Sequence, residues 1–216
     1  MGKFWAVLAV GGFIAVLIGL IFHAWKLKSK RDEELGQLAA NNNWRYQGKG
    51  QVFALEGFTP SGIAWKMEPD DEESVWRAQS RTLTEELLWI SPRSNTIVLN
   101  YSSKTSRFLL NRLYSKAEAE KIATAKEVEI GSPVFSKRYV VIATDNYLAL
   151  KVLTDDVERL LTAWPVKEKI KQITLSQKGL EIKVDSTFPT TETVKSTVAL
   201  GEAITRNVQR LLAQIY

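Results

Sequence analysis

From Phe4 to Trp25 the chain is apolar without interruption: 22 consecutive residues lack Asp, Glu, Lys and Arg, and His23 is the only titratable side chain among them. At about 1.5 Å per residue a helix over this stretch is roughly 33 Å long, enough to cross a hydrocarbon core of about 30 Å. The pattern therefore predicts a transmembrane helix. Trp5 and Trp25 fall about 30 Å apart, where an indole with one wet edge suits each interface. A cleaved secretory signal is the competing reading. It is disfavoured because the run is longer than the usual apolar core of a signal and passes into charge with no small-x-small cleavage pattern.

Beyond the apolar run the rhythm shortens. "DEELGQLAANNNWRY" begins with helix-favouring residues and breaks at Asn41, Asn42 and Asn43, which tolerate non-helical dihedrals, so the helix is expected to end near Ala40. "WRYQGKGQVFALEGFTPSGIAWKMEP", "SVWRAQSRTL", "ELLWISP" and "TIVLNYSS" read as short strands separated by Gly48, Gly50, Gly57 and a Pro60-Ser61-Gly62 turn, at hairpin rather than crossover spacing. A helix is expected over "SKAEAEKIATAKE", with Ser115 and Glu118 as a capping box, and a strand over "FSKRYVVIATDN". Asp155 and Glu158 open a further helix, closed by Pro165.

"IKQITLSQKGLEIKV" is the clearest hairpin: Ile173 and Leu175, then Leu180, Ile182 and Val184, alternate with polar neighbours around Gln177-Lys178-Gly179. From 193 to 214, Val194, Val198, Gly201, Ile204, Val208, Leu211 and Ile215 recur at helical spacing, with Lys195, Glu202, Arg206 and Arg210 off that stripe. Three heptads are short for a coiled coil, so this helix is expected on the sheet. The whole reads as an α+β fold: an N-terminal transmembrane helix, a mainly antiparallel sheet with packed helices, and a long C-terminal amphipathic helix. The expected divisions are an anchor over 1–25, a basic juxtamembrane segment and linker helix over 26–42, and a soluble domain over 43–216.

Charge changes the picture in one respect. Residues 1–31 hold five of the 29 basic side chains and none of the 24 acidic ones, so the remainder is formally neutral. A basic pI would ordinarily suggest nucleic acid; here the excess is juxtamembrane, where Lys26, Lys28, Lys30 and Arg31 suit anionic head groups, so no nucleic-acid partner is expected. With Trp5 and Trp25 they form the expected membrane interface. By the positive-inside rule the four basic residues place the domain in the cytoplasm and the N-terminus outside, a single pass through a cell inner membrane. Gly11, Ala15 and Gly19 share one helix face that could support a homo-oligomer, although small residues are common in membrane helices generally. His23 sits at the interfacial end.

Candidate chemistry is sparse. There is no Cys, and the only His lies in the apolar run, so disulfides, thiolate metal sites, zinc sites and Ser-His-Asp triads cannot be built in the domain. Glu68, Asp70, Asp71, Glu72 and Glu73 could offer oxygen ligands to Mg²⁺ or Ca²⁺, but lack the calcium-loop spacing; a solvated acidic loop is the expectation. No phosphate-loop motif occurs. Trp44, Trp65, Trp76 and Trp89 lie in β-prone, apolar surroundings and are expected in the core.

"NNWRYQGKG", "ALEGFTPSGIAWKMEP" and "FSKRYVVIATDNYLALKVLTDDVERLLTAWP" resemble segments of uncharacterised bacterial membrane-anchored proteins with a domain of unknown function. There, a hairpin containing Gly and Trp precedes an F-x-x-x-F/Y-x-V strand and a Leu-Thr helix start. This chain departs in having a single anchor. The resemblance implies a bacterial inner-membrane setting and no catalytic residues. No cofactor, metal or catalytic residue is expected. The leading expectation is a membrane-held interaction or scaffolding module with lipid and a protein partner. The alternatives are a tethered small-ligand sensor and a carboxylate, Mg²⁺-dependent enzyme.

Overall fold

A computed structural model describes residues 2–49, 52–78, 87–94, 125–165 and 167–215. Helix α1 (Gly2–Asn41) runs without a break through the apolar stretch and the basic cluster. It stops where the Asn residues predict: Asn43 takes φ +56°, and Trp44 N–H turns back to donate to Ala39 O at 2.8 Å. Among the described residues no helix is long and apolar enough to cross a membrane. The span expected over Phe4–Trp25 falls largely on residues 1–17, whose side chains lie outside the described set.

The strands are β1 (Arg45–Lys49), β2 (Val52–Phe58), β3 (Ala64–Asp70), β4 (Glu73–Ala78), β5 (Leu88–Pro92), β6 (Lys126–Glu127), β7 (Tyr139–Ala143), β8 (Ile170–Ser176) and β9 (Gly179–Val184). All pair antiparallel in one sheet, in the order β1-β2-β3-β4-β9-β8-β5-β7-β6. The β8–β9 hairpin thus sits between two runs of earlier strands. Its turn uses Gly179 at φ +115°, a conformation an L side chain would strain. The expected strand over 96–103 and the helix capped at Ser115, as far as residue 124, lie outside the described residues; at the end of that expected helix Lys126 and Glu127 are strand instead, because they pair with Ala143 and Ile142 of β7.

Register sorts the two faces. One row crosses eight strands as Tyr46, Leu55, Met67, Trp76, Ile182, Ile173, Ile90 and Val141, and apart from half-buried Tyr46 all of it is buried. The row one residue over reads Arg45, Glu56, Lys66, Arg77, Glu181, Thr174, Trp89, Ile142 and Glu127, on the opposite face. A one-residue slip would exchange core for charge, so the register is strongly specified. Trp89, Val140 and Ile142 form a second, small apolar cluster on that opposite face.

The helices of the domain are α2 (Pro133–Arg138), α3 (Asn146–Val152), α4 (Asp155–Thr162) and α5 (Thr191–Ile215). The stripe predicted for α5 is buried from Val194 to Leu211 and lies on β4 and β9, so it packs on the sheet. Gly201 sits where a Cβ would come within 2.4 Å of the Trp76 ring, so glycine permits the closest approach of helix to sheet. The continuous strand expected over "FSKRYVVIATDN" is corrected: residues 133–138 are helical because Ser132 caps Phe135 N–H, Pro133 suits the first helical position and Phe135 turns into the core. Only Tyr139–Ala143 forms strand, and α3 follows, capped by Asp145.

Candidate functional site: the joint between helix and domain

The last three turns of α1 belong to the packed unit, because Leu35, Leu38 and Ala39 are buried in the main core. Their approach needs Gly48 on β1, where a Cβ would lie 2.4 Å from Asp32 Oδ1 and 2.6 Å from the Tyr46 hydroxyl. That hydroxyl donates to the Asp32 carboxylate. Burial, then the bond to Asp32 and its charge, push the Tyr46 pKa well above 10.0.

One residue earlier, Arg31 Nη1 donates to Phe188 O at 2.7 Å and Nη2 lies 3.9 Å from Glu168 Oε1. Glu168 is buried, and its carboxylate accepts from Thr190 N–H at 2.9 and 3.2 Å, from the Thr190 hydroxyl at 3.1 Å and from the Ser186 hydroxyl at 3.4 Å. Thr190 caps α5 by accepting from Thr193 N–H at 3.3 Å. The carboxylate therefore lies at the N-terminus of a 25-residue helix, where unsatisfied N–H groups favour negative charge. Arg31, Glu168 and Thr190 link α1, the entry to β8 and α5 in one polar chain.

Of the expected membrane-interface residues, Trp25, Lys26 and Lys30 are exposed, Lys30 pairing with Glu34 at 3.8 Å. Arg31 turns to the domain instead. The side chains of Trp5, Lys28, Gly11 and Ala15 lie outside the described set. A Cβ built on Gly19 meets nothing within 4 Å. Ile18, Leu20, Ile21, Phe22 and Trp25 are 57 to 75% exposed and, at about 3.6 residues per turn, spread over more than half of the helix circumference.

The acidic stretch is matched by cations of the sheet. Glu68 lies 2.6 Å from Lys66 and 3.5 Å from Arg77, Asp70 lies 2.6 Å from Arg77, and Glu73 lies 2.9 Å from Lys183. Glu68 thereby bridges two like charges, Lys66 and Arg77, that the register sets opposite one another. Asp71 and Glu72 form the exposed β3–β4 turn. Among the described residues no group of three or more His, Cys, Asp or Glu is placed to hold a metal. The four Trp residues sit in apolar packing as expected, Trp65 with Trp44 edge-on at 5.1 Å and with Trp76 stacked at 6.0 Å, and Trp89 in the smaller cluster.

One feature escaped the sequence reading. A groove of about 910 Å³ lies between α2, β7 and the β6–α2 loop. Val128, Ile130, Phe135, Tyr139, Val141 and Leu150 share its lining with Arg93, Glu127, Glu129, Ser136 and Lys137, so apolar and polar groups line it about equally. At its mouth Arg93 lies 3.0 Å from Glu127 and donates from Nε to Ser136 O at 2.9 Å. Phe135 and Tyr139 stack at 5.4 Å, and Tyr139 donates to Leu161 O at 3.2 Å. Burial raises the Tyr139 pKa against the opposing charge of Arg138. Glu158, expected in a capping box with Asp155, instead accepts from Ser132 N–H at 3.0 and 3.1 Å and braces the loop beside the groove. The Ser132-Pro133 helix start was the signal that could have located it.

These features define an α+β protein in which the described residues form a nine-stranded antiparallel sheet and a long N-terminal helix that ends inside its core. No protein-family model matches the chain, and no curated protein matches it. Among solved structures the chain is similar to the mycobacterial trehalose monomycolate transport factor A, TtfA, at 10% identity and a TM-score of 0.47, over 81% of this chain and 93% of that one.

Proposed function

We propose that the chain is a single-pass protein of a bacterial inner membrane whose cytoplasmic domain is an interaction module held at the bilayer surface, where it docks a protein partner. The observation that carries this reading is the wall of uncovered apolar side chains on α1, Ile18 to Trp25, on the same unbroken helix whose end is locked into the core. Large apolar side chains exposed over more than half of a helix need a cover, and hydrocarbon supplies it without a partner groove. Lys26, Lys28 and Lys30 after the run support a cytoplasmic domain. The resemblance to uncharacterised membrane-anchored bacterial proteins agrees with this.

The test has two parts. The full chain should remain with bacterial membranes through alkaline carbonate extraction, and a reporter fused after Tyr216 should be active only as a cytoplasmic fusion. Release by carbonate removes the anchor; a periplasmic signal reverses the orientation. Crosslinking from the domain surface should then recover one reproducible partner, and recovery of none across growth conditions counts against the docking role.

The groove favours a second reading, a tethered sensor. Its volume lies within the range of small-ligand sites, and apolar side chains share its lining with polar ones. A metabolite that raises the melting temperature of the full chain, but not of a variant with Leu150→Asp at the exposed edge of the groove, would select it over the docking module.

A further inference from the structure

The sheet end beside Arg31 holds a recess that neither the joint nor the groove uses. It is a cavity of about 290 Å³ among the entry to β8, the exit of β5, the end of β9 and the start of β4. Register places it on the face opposite the helices, since Trp89, Lys183 and Glu73 of its lining all belong to that face. Three lysines, Lys169, Lys171 and Lys183, line it together with Gln172 and Ser91.

Two carboxylates complete the lining and have structural partners. Glu73 lies 2.9 Å from Lys183 and 3.7 Å from Lys171, and Asp185 lies 3.2 Å from Lys171. They hold two of the lysines in place and leave the recess one positive charge in excess. Burial works against the charge on Lys183, but its bond to Glu73 and the charges of Glu181, Glu73 and Asp70 outweigh it and raise the pKa. Lys169 is exposed, and no carboxylate pairs with it among the described residues. The recess is small, at the lower edge of the usual range of organic-ligand sites, and its ammonium, amide and hydroxyl donors share the lining with the two carboxylates and with Trp89, Pro92 and Ile170.

A compact anion with several acceptor oxygens matches that inventory, because lysines bind phosphate as converging point charges. Position supplies the source. Glu168, 3.9 Å from the Arg31 guanidinium, lies between Lys167 and Lys169, and Arg31 is only about 9 Å along the helix from Trp25. We propose that this recess binds a phosphate monoester, presented by the head group of an anionic phospholipid; the lipid source rests on the membrane reading above, the phosphate chemistry does not.

The test is site-resolved lysine labelling of the full chain with an amine-reactive reagent, read by mass spectrometry. The chain is held in nanodiscs of phosphatidylcholine alone, of phosphatidylcholine with phosphatidic acid, or of phosphatidylcholine with inorganic phosphate in the buffer. Phosphatidic acid should protect Lys169, Lys171 and Lys183 several-fold and leave Lys178, at the far turn of the same hairpin, unchanged. Lys169→Gln should abolish the protection of Lys171 and Lys183 without lowering the melting temperature. Equal protection by inorganic phosphate would keep the recess and overturn the lipid source. Protection in neither arm, or equal protection of Lys178, overturns the recess. A chain that does not enter nanodiscs fails the membrane reading, and the phosphate arm repeated in neutral detergent still decides the recess.

Discussion

Gly201 illustrates how a single missing carbon sets the distance between layers. Replacing it by Ala improves intrinsic helix propensity by about 0.5–1 kcal/mol but drives a methyl into the buried Trp76 ring, and overpacking of this kind costs about 1–3 kcal/mol. Gly201→Ala should therefore lower stability in chemical denaturation, and a second substitution, Trp76→Phe, should recover part of the loss. Tyr46 makes a different prediction. Its hydroxyl stays protonated in the fold above the pH at which the unfolded chain ionises, so the stability it contributes is complete below pH 10.0 and declines as the pH rises above that value. Tyr139 acts in the same direction. Melting temperature followed from pH 8 to pH 11 should fall along the alkaline limb. Tyr46→Phe should be less stable at neutral pH, having lost the bond to Asp32, but should show a shallower alkaline fall.

At the scale of elements, the attachment of α1 rests on apolar packing and on the Arg31 chain. Glu168→Ala leaves Thr190 N–H and hydroxyl without their acceptor and Arg31 without its counter-ion, a loss of about 1–3 kcal/mol. A double-mutant cycle with Arg31→Ala should return a coupling well above that of an exposed ion pair; strict additivity would mean that Arg31 contributes only through Phe188 O. Sequence periodicity located the elements whose environment is local. The β8–β9 hairpin, the stop of α1 at the Asn residues and the stripe of α5 follow from alternation, left-handed tolerance and helical spacing. It missed what distant residues decide. Arg31 reads as one more member of a basic cluster, because its acceptor on Phe188 is 157 positions away. Phe135 and Tyr139 read as one strand, because the cap at Ser132 and the burial of Phe135 override local β preference. The groove is bounded by several such segments, so no single window contained it.

For the whole molecule, the unbroken helix fixes which end of the sheet faces the bilayer in the proposed arrangement. The β9–α5 loop lies beside Arg31, whereas the β8–β9 turn is the length of a seven-residue strand away, about 23 Å. A spin label at Thr187 should be relaxed by a paramagnetic reagent bound to lipid head groups, and one at Gln177 should not. Similar relaxation at both positions would mean that the domain lies on its side. The strand order also has a consequence in time. Trp76 of β4 meets Ile182 of β9, and β5 reaches β4 only through the same late hairpin. During synthesis the first four strands and the β5–β7 group must therefore wait as separate pieces, since pairing across such separation comes late. Chains halted before Ile170 should remain open to protease on both sides of the gap, while chains extended past Val184 should close. In the proposed arrangement the anchor is inserted long before that moment, so the domain completes its assembly while already moored.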